Sequence, residues 1–404
     1  MNEIRTDVPS RCHSGAPDPA RLGLLYAVVF VEIGVAMPFM PVWLGTLALE
    51  PSVIGLLLAL PIATKIVATR PLTGLIDRGV RPRTLLAAGS LALAASYALM
   101  PAAAAVAVPW LGLLIVLNAA AQAPLVPSID YLTLAAARRA PTRIDYARIR
   151  LCGSIAFLLA NLAGGTLIGV LGGQVAVPLL LTGLALLAAL VALRAGERAA
   201  PAEIRPPGAA PRGPAPPLPP VLRRAIAAAA LIQASHAAIY AFGSLNWAAH
   251  GVSAPWIGAL WAIGVAAEIV LFAGLARLPA RWRTPFRLLA LGGVAAVIRA
   301  LGLSVAEGDL TLLVPLQGLH ALTFGATHLG AMAAVSGFAP EGARGRAQGT
   351  VGASTALVSA LATLACGTVY GAFGGAATFL MMAPLALAGL GLVALARRTV
   401  PVRP

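Results

Sequence analysis

The chain has 404 residues, 59% of them apolar and 11% charged, with a formal net charge of +15. An ordinary soluble domain carries roughly 25% charged residues, so this chain lacks the polar residues needed to coat a water-soluble globule of its size. Its basic balance does not indicate nucleic acid, because such a surface needs basic residues clustered on a folded soluble face, and here they are spaced between apolar stretches. Cys12, Cys152 and Cys366 lie too far apart for a disulfide framework or a metal-ligand spacing. The expectation is therefore no nucleic-acid partner, no metal and no cofactor.

Residues 1–20 carry charges and prolines but lack the short apolar core and cleavage site of a signal peptide, and read as a cytoplasmic tail. Twelve apolar stretches come after it, each near the ~20 residues that cross a bilayer as a helix. They run over 22–46, 52–76, 84–104, 109–135, 147–172 and 174–194, then 222–249, 253–277, 284–305, 309–336, 346–372 and 375–396. Between the sixth and seventh lies 195–221, which contains PPGAAPRGPAPPLPP. That segment is too proline-rich for a helix and too polar for a span, so it reads as a cytoplasmic linker. The expected organisation is an N-terminal half at 21–194, a C-terminal half at 222–397 and a short tail at 398–404. The fold class is an all-α membrane protein of twelve transmembrane helices.

The basic residues give this arrangement an orientation. With the N-terminus inside, 27 of the 29 Lys and Arg residues fall in cytoplasmic segments, and the other two, Lys65 and Arg299, fall inside helices. The external loops hold Glu50, Glu307 and Asp309 and no basic residue. This is the segregation that short loops show in cell membranes, and it places the chain in the cell (inner) membrane with both termini cytoplasmic. Trp43, Trp110, Trp247 and Trp256 fall at outer helix ends, where an interfacial aromatic belt is expected.

The two halves read as repeats. Span two contains IGLLLALPIATKIV and span eight IGALWAIGVAAEIV, with Ile-Gly standing ten residues before Lys65 in one and before Glu268 in the other, an offset of 203. Gly165, Gly169 and Gly173 in span five match Gly367, Gly371 and Gly375 in span eleven at an offset of 202. A four-residue glycine spacing makes a face that lets helices approach closely. Such a face serves ordinary packing or a surface on which the halves move against each other, as in transporters built from repeats.

A charge at the bilayer centre is costly, so it pairs internally or faces a cavity. Counting in from the loops places Glu32, Lys65, His236, Glu268 and His320 near mid-membrane, Arg299 in the outer half, and Asp130 and His328 in the inner third. Lys65 is the only lysine beside 28 arginines. For each of these an internal ion pair between helices competes with a functional role. Gln317, His320, Phe324 and His328 form one helical stripe on span ten, and Gln233, His236, Tyr240, Ser244 and Trp247 another on span seven. Faces that combine donors, acceptors and rings suit a wet cavity better than lipid.

At these residues the chain resembles a known family. Arg70, Pro71 and GLIDRGVRPR, with Asp77, Arg78 and Arg81, look like the signature loop between spans two and three of the major facilitator superfamily, although Thr73 and Val80 stand where that pattern has glycines. PSIDY at 127–131, YARIRLCGSIAF at 146–157, IGALWAIGVAAEIVLF at 257–272 and LQGLHALTFGATHLGAM at 316–332 resemble the phenylpropionate permease branch, related to the lactose permease type of proton symporter. The resemblance implies a major facilitator fold of two six-helix pseudo-repeats, a monomer, and proton-coupled uptake of a small organic solute such as an aromatic carboxylate. It also implies roles for single residues. Asp130 and Arg150 match the substrate-binding acid and its arginine partner, Glu268 the acid linking substrate to proton, and Arg299 and His320 the basic pair on spans nine and ten. Thr323 stands where the sugar symporters carry a second acid, which moves the expected proton site to Glu268 or Asp130, with His320 nearby. Lys65, Arg150 or Arg299 is then expected to meet an anionic solute, against His236, Tyr240, Phe324 and His328. Neither an aspartate-rich metal motif nor HExxH is present, so an enzyme is not expected. The halved repeat also favours alternating access over a channel. Efflux by antiport and symport of a sugar or nucleoside remain open alternatives.

Overall fold

The computed structural model describes residues 18–140, 142, 144–194, 216–277 and 279–399. The expected tail up to residue 17, the linker from 195 to 215 and the tail from 400 onward lie outside them. The described helices long and apolar enough to cross a membrane are α1 (Pro19–Gly45), α2 (Pro51–Thr73), α3 (Pro82–Val106), α4 (Val108–Arg138), α5 (Tyr146–Leu171), α6 (Gly173–Arg194), α7 (Pro220–Ala249), α8 (Ala254–Gly274), α9 (Pro285–Ala306) and α10 (Leu310–Phe338), and beyond them a 55-residue stretch, Arg344–Arg398. That last stretch would reach about 83 Å if straight, far beyond the ~30 Å of hydrocarbon. It turns back at Gly374, whose φ of 78° breaks the helix, and so supplies α11 (344–373) and α12 (375–398). Twelve crossings result among the described residues, in the expected order.

Local chemistry sets where several helices begin. Asp18 and Asp145 accept hydrogen bonds from the first free amides of α1 and α5, Ala20 at 3.0 Å and Ala147 at 2.9 Å, as capping residues do. Proline opens α1, α2, α3, α7 and α9, where its missing N–H costs nothing. Asp309 caps α10 from the loop, and the Thr311 hydroxyl and amide hold its carboxyl below the usual carboxylate range.

Within the first half, α1 packs on α5 and α6, and α3 on α4 and α6; within the second, α7 and α9 pack on α12. The halves meet chiefly through α2 against α11 and α5 against α8. Both crossings are made by the glycines that the repeat singles out. A Cβ on Gly55 would lie 2.7 Å from the Gly367 Cα, and one on Gly367 2.8 Å from the Pro51 carbonyl oxygen. A Cβ on Gly165 would lie 2.5 Å from the Ala254 carbonyl oxygen, and one on Gly258 would overlap the Asn161 carbonyl oxygen. Real Cβ atoms do not sit this close, so each backbone approach requires glycine. Gly55 and Gly258 are repeat equivalents, as are Gly165 and Gly367, so the two crossings are related by the same pseudo-symmetry as the halves.

Away from the crossings the halves part. Buried residues on α2 end at Ala59 and on α8 at Gly264, and α11 has none between 348 and 361 although Ala362, Thr363, Cys366 and Gly367 are buried. One end of the bundle is therefore sealed, and a cleft opens toward the end where α1 begins. The aromatic belt needs correction at two positions. Trp110 and Trp256 are exposed, but Trp43 and Trp247 are fully buried in the core at the sealed end, since the ends of α1 and α7 pack together there.

A leucine in place of Gly55 is expected to push α2 off α11. Cys366, now 0% exposed, should then react with a maleimide in a background with Cys12 and Cys152 changed to serine, read by mass spectrometry. Unchanged protection would show that the crossing tolerates a side chain.

Candidate functional site

Three polar clusters are built into the bundle, two in the first half and one in the second. The first joins α1 to α4. Tyr97 donates its hydroxyl to Glu32 Oε1 at 2.5 Å, and Gln122 Nε2 donates to Glu32 Oε2 at 3.0 Å and Oε1 at 3.3 Å. The Gln122 carbonyl accepts from Lys65 Nζ at 2.5 Å. Glu32 is 1% exposed. Among the described residues Lys65 and Glu32 make no direct ion pair; the amide of Gln122 stands between them. A direct ion pair between helices is thus not made by these two charges, which instead share the amide of Gln122. Alongside, Asn118 donates to Ser96 at 2.8 Å.

The second cluster gathers on Asp130 of α4. Its Oδ1 accepts from Tyr26 at 2.5 Å, Tyr146 at 3.0 Å and Arg150 at 3.2 Å, and the Arg150 guanidinium lies 5.7 Å from the Phe30 ring centre and 6.0 Å from that of Tyr26. Asp130 and Arg150 therefore do meet, as the resemblance implied. Both remain partly open, at 29% and 42% side-chain exposure. The nearby loop after α2 turns at Gly79, whose φ of 92° suits glycine. Asp77 shares a surface pocket there with Arg70, Thr73, Pro127 and Tyr131. In the same loop Asp77, Arg78 and Arg81 are all exposed.

In the second half, Arg299 is 5% exposed and donates to Gln317, to Thr323 Oγ1 at 3.5 Å and toward His320 Nδ1 at 3.4 Å. Thr323 also meets His236 Nε2 at 2.8 Å. The Thr323 hydroxyl thus sits between the Arg299 guanidinium and the His236 ring. Glu268 lies 4.0 Å from His320 Nε2 and is 19% exposed, while Arg299 makes no ion pair with it among the described residues. An aromatic wall runs beside this network: His236 stacks on Tyr240 and Tyr240 on Trp261, with ring centres at 5.4 and 5.7 Å, and His320, Phe324 and His328 stack in sequence. Along that stripe burial falls from Gln317 and His320 to half-buried Phe324 and exposed His328, in the direction of the open cleft.

Two departures from regular helix position these rings. Residues Ile239–Gly243 of α7 and Ala321–Ala326 of α10 form π-helical turns, which concentrate at functional sites. The α4 equivalent of the second is the break at Ala123 and Pro124, between Val108–Gln122 and Leu125–Arg139, where Pro124 cannot donate to the helix. Tyr26, Tyr97, Gln122, Tyr146 and Trp261 belong to the clusters without having been singled out by sequence. A search for formal charge passes over neutral donors, and their signal was a polar tip inside an apolar span.

A model of the MFS_1 like family matches residues 20–381. A protein of Escherichia coli (strain K12) described as a probable 3-phenylpropionic acid transporter is 31% identical over 320 residues, covering 77% of this chain and 80% of that one. Among solved structures, a mutant of the nucleoside transporter NupG superposes with a TM-score of 0.80 at 15% identity, covering 94% of this chain and 99% of that one. A bacterial homolog of the human lysosomal transporter Spinster, inward-facing and occupied, gives 0.74 at 15%, covering 95% and 96%. At these identities the structural likeness is one of fold.

Gln317→Leu would remove the amide that accepts from Arg299 and donates to the Leu260 carbonyl at 3.0 Å. Hydrogen bonds to buried charged groups are worth about 1.5–3 kcal/mol, so the variant is expected to unfold at a lower temperature in detergent. An unchanged unfolding temperature would mean that Arg299 finds another acceptor.

Proposed function

Because the chain belongs to the MFS_1 like family, and is a multi-pass membrane transporter and not an enzyme, we propose that it takes up a small aromatic carboxylate together with protons by alternating access. The observation that carries this reading is the set of groups on one wall of the cleft: Glu268 4.0 Å from His320, beside the stacked rings of Tyr240, Trp261 and Phe324. A flat apolar solute fits against such rings, and a carboxyl near a neutralisable imidazole can load and release a proton as the cleft opens and closes. The Escherichia coli relative, described as a probable transporter of 3-phenylpropionic acid, supports the same solute class.

Glu268 carries the coupled proton in this scheme, with His320 and Asp130 as the other titratable groups of the cleft. His236, His328 and Arg299 border the solute in the second half, and Lys65 and Arg150 supply positive charge from the first. The loop with Asp77, Arg78 and Arg81 lies at the open end, which the segregation of basic residues makes cytoplasmic, so the conformation is inward-facing in the cell (inner) membrane. The glycine crossings then form the outer seal, and the protein works as a monomer. A symporter needs proton and solute to favour the same conformations, so that neither crosses readily alone.

Whole cells expressing the chain should accumulate labelled 3-phenylpropionate, and an uncoupler should abolish the accumulation. Increased retention with the uncoupler would instead mean export. Glu268→Gln should keep solute exchange down a concentration gradient and lose accumulation driven by an imposed proton gradient. Persistence of that accumulation would remove Glu268 from the coupling role. Competition by an oligosaccharide or a nucleoside, with none by 3-phenylpropionate, would favour the sugar-type reading that the Asp130 and Arg150 pair leaves available.

A further inference from the structure

The cluster of Glu32, Lys65, Tyr97 and Gln122 lies outside the groups matched to the symporter relatives, yet it contains the chain's only lysine and a fully buried acid. We propose that Lys65 is the anchor for the solute's carboxylate and that Glu32, behind Gln122, takes up one proton when that carboxylate binds. The inference rests on the reading that the solute is an organic anion.

The orientation of Gln122 is the starting point. Its carbonyl accepts from Lys65 and its amide nitrogen donates to both oxygens of Glu32, while Tyr97 donates a third hydrogen bond to the same carboxylate. With the Gln122 amide nitrogen facing both oxygens and the Tyr97 hydroxyl donating to one of them, the arrangement suits the acceptor-only, ionised carboxylate. An ammonium offers three donors, and the hydrogen bond to Gln122 uses one of them. Among the described residues the Lys65 ammonium has no other hydrogen-bond partner and no ion pair, its backbone carbonyl alone accepting from the Thr69 hydroxyl. Lys65 is only partly buried and stands on the part of α2 that has left the crossing, whereas Glu32 is sealed at 1% exposure. One charge is thus available to a solute in the cleft, and its counter-charge is not.

The empty cluster is neutral, one positive and one negative charge held apart by an amide. A carboxylate bound at Lys65 would leave a net negative charge in a medium that penalises it, and a proton on Glu32 removes the imbalance. The carboxyl–ammonium contact forms on the cleft side, the proton arrives from water through the open end, and no bond to carbon changes. The titratable groups facing Glu32 are Tyr97 on α3 and Lys65 on α2. Asp130, Arg150 and Tyr146 of α4 and α5 are engaged in their own cluster around Tyr26, and α6 contributes no titratable group before Arg194. This proton adds to the one assigned to Glu268 and matches the solute's own charge.

Calorimetric titration of the purified full-length protein with 3-phenylpropionate, in two buffers of different ionisation heat at the same pH, counts the protons taken up per solute. The alcohol 3-phenylpropanol serves as the uncharged control. Lys65→Gln should weaken 3-phenylpropionate binding by about tenfold or more and leave binding of the alcohol unchanged, while Lys65→Arg should recover part of the loss. Gln122→Glu, which places a competing carboxylate beside Lys65, should also weaken it. Glu32→Gln should bind 3-phenylpropionate at least as tightly as the parent, with one proton fewer taken up per solute and a flatter dependence of affinity on pH. The inference is overturned if Lys65→Gln binds the acid as the parent does, or if Glu32→Gln takes up the same number of protons. Failure of the parent itself to bind any aromatic carboxylate would overturn the solute reading, and the inference with it.

Discussion

The two glycine crossings are the contacts on which the other features depend. At Gly55 with Gly367 and at Gly165 with Gly258, the backbones of the two halves approach too closely for any Cβ. A bilayer gives helices no hydrophobic reason to associate, so close van der Waals packing between small residues has to hold such a seam together. Because both contacts lie near one end, the same helices diverge toward the other end, and that divergence leaves the cleft. A seam of interdigitating large side chains would resist separation; a short backbone contact can be broken and remade with little repacking. The pseudo-symmetry of the crossings gives both halves an equal share in the seal.

Charge placement depends in turn on the cleft. The acidic and basic side chains inside the bundle are answered by polar neighbours supplied from adjacent helices: Glu32 by Tyr97 and Gln122, partly open Asp130 by Tyr26, Tyr146 and Arg150, Arg299 by Gln317, Thr323 and His320. Breaking one partner of such a group costs far more than the interaction contributes on its own, which fixes these side chains in place. Glu268 and Lys65 differ from the others in having few partners while standing where the halves have separated. The groups least satisfied by the protein are the ones a solute or a proton can reach.

Helix irregularity supplies the remaining geometry. The π-helical turns in α7 and α10 and the proline break in α4 interrupt a regular stripe just where polar and aromatic groups converge. An extra residue in one helical turn rotates all later residues about the helix axis. Tyr240 and Phe324, which lie within these turns, come within ring-contact distance of His320, as does His236 just before the first of them. The resulting wall is apolar on its faces and polar at its edges.

The sequence by itself determined the number of spans, their order and the relation of the two halves, because hydrocarbon thickness imposes a length on every apolar segment and repeats leave matching offsets. It also marked Glu32, Lys65, Asp130, Glu268 and Arg299, since a charge inside an apolar run stands out without any knowledge of its neighbours. It paired the glycines by offset but could not show that Gly55 meets Gly367 and Gly258 meets Gly165, because the first of those contacts joins segments hundreds of residues apart and the second joins segments on either side of the linker. Only the tertiary structure decided which charges answer which. Arg299 turned to Gln317 and Thr323 and made no pair with Glu268 among the described residues, and Gln122 came between Lys65 and Glu32. It likewise drew Trp43 and Trp247 from an expected lipid boundary into the core. Partner choice depends on side-chain positions to within an ångström, across helices whose breaks and π turns shift every residue beyond them, and linear spacing does not carry that information.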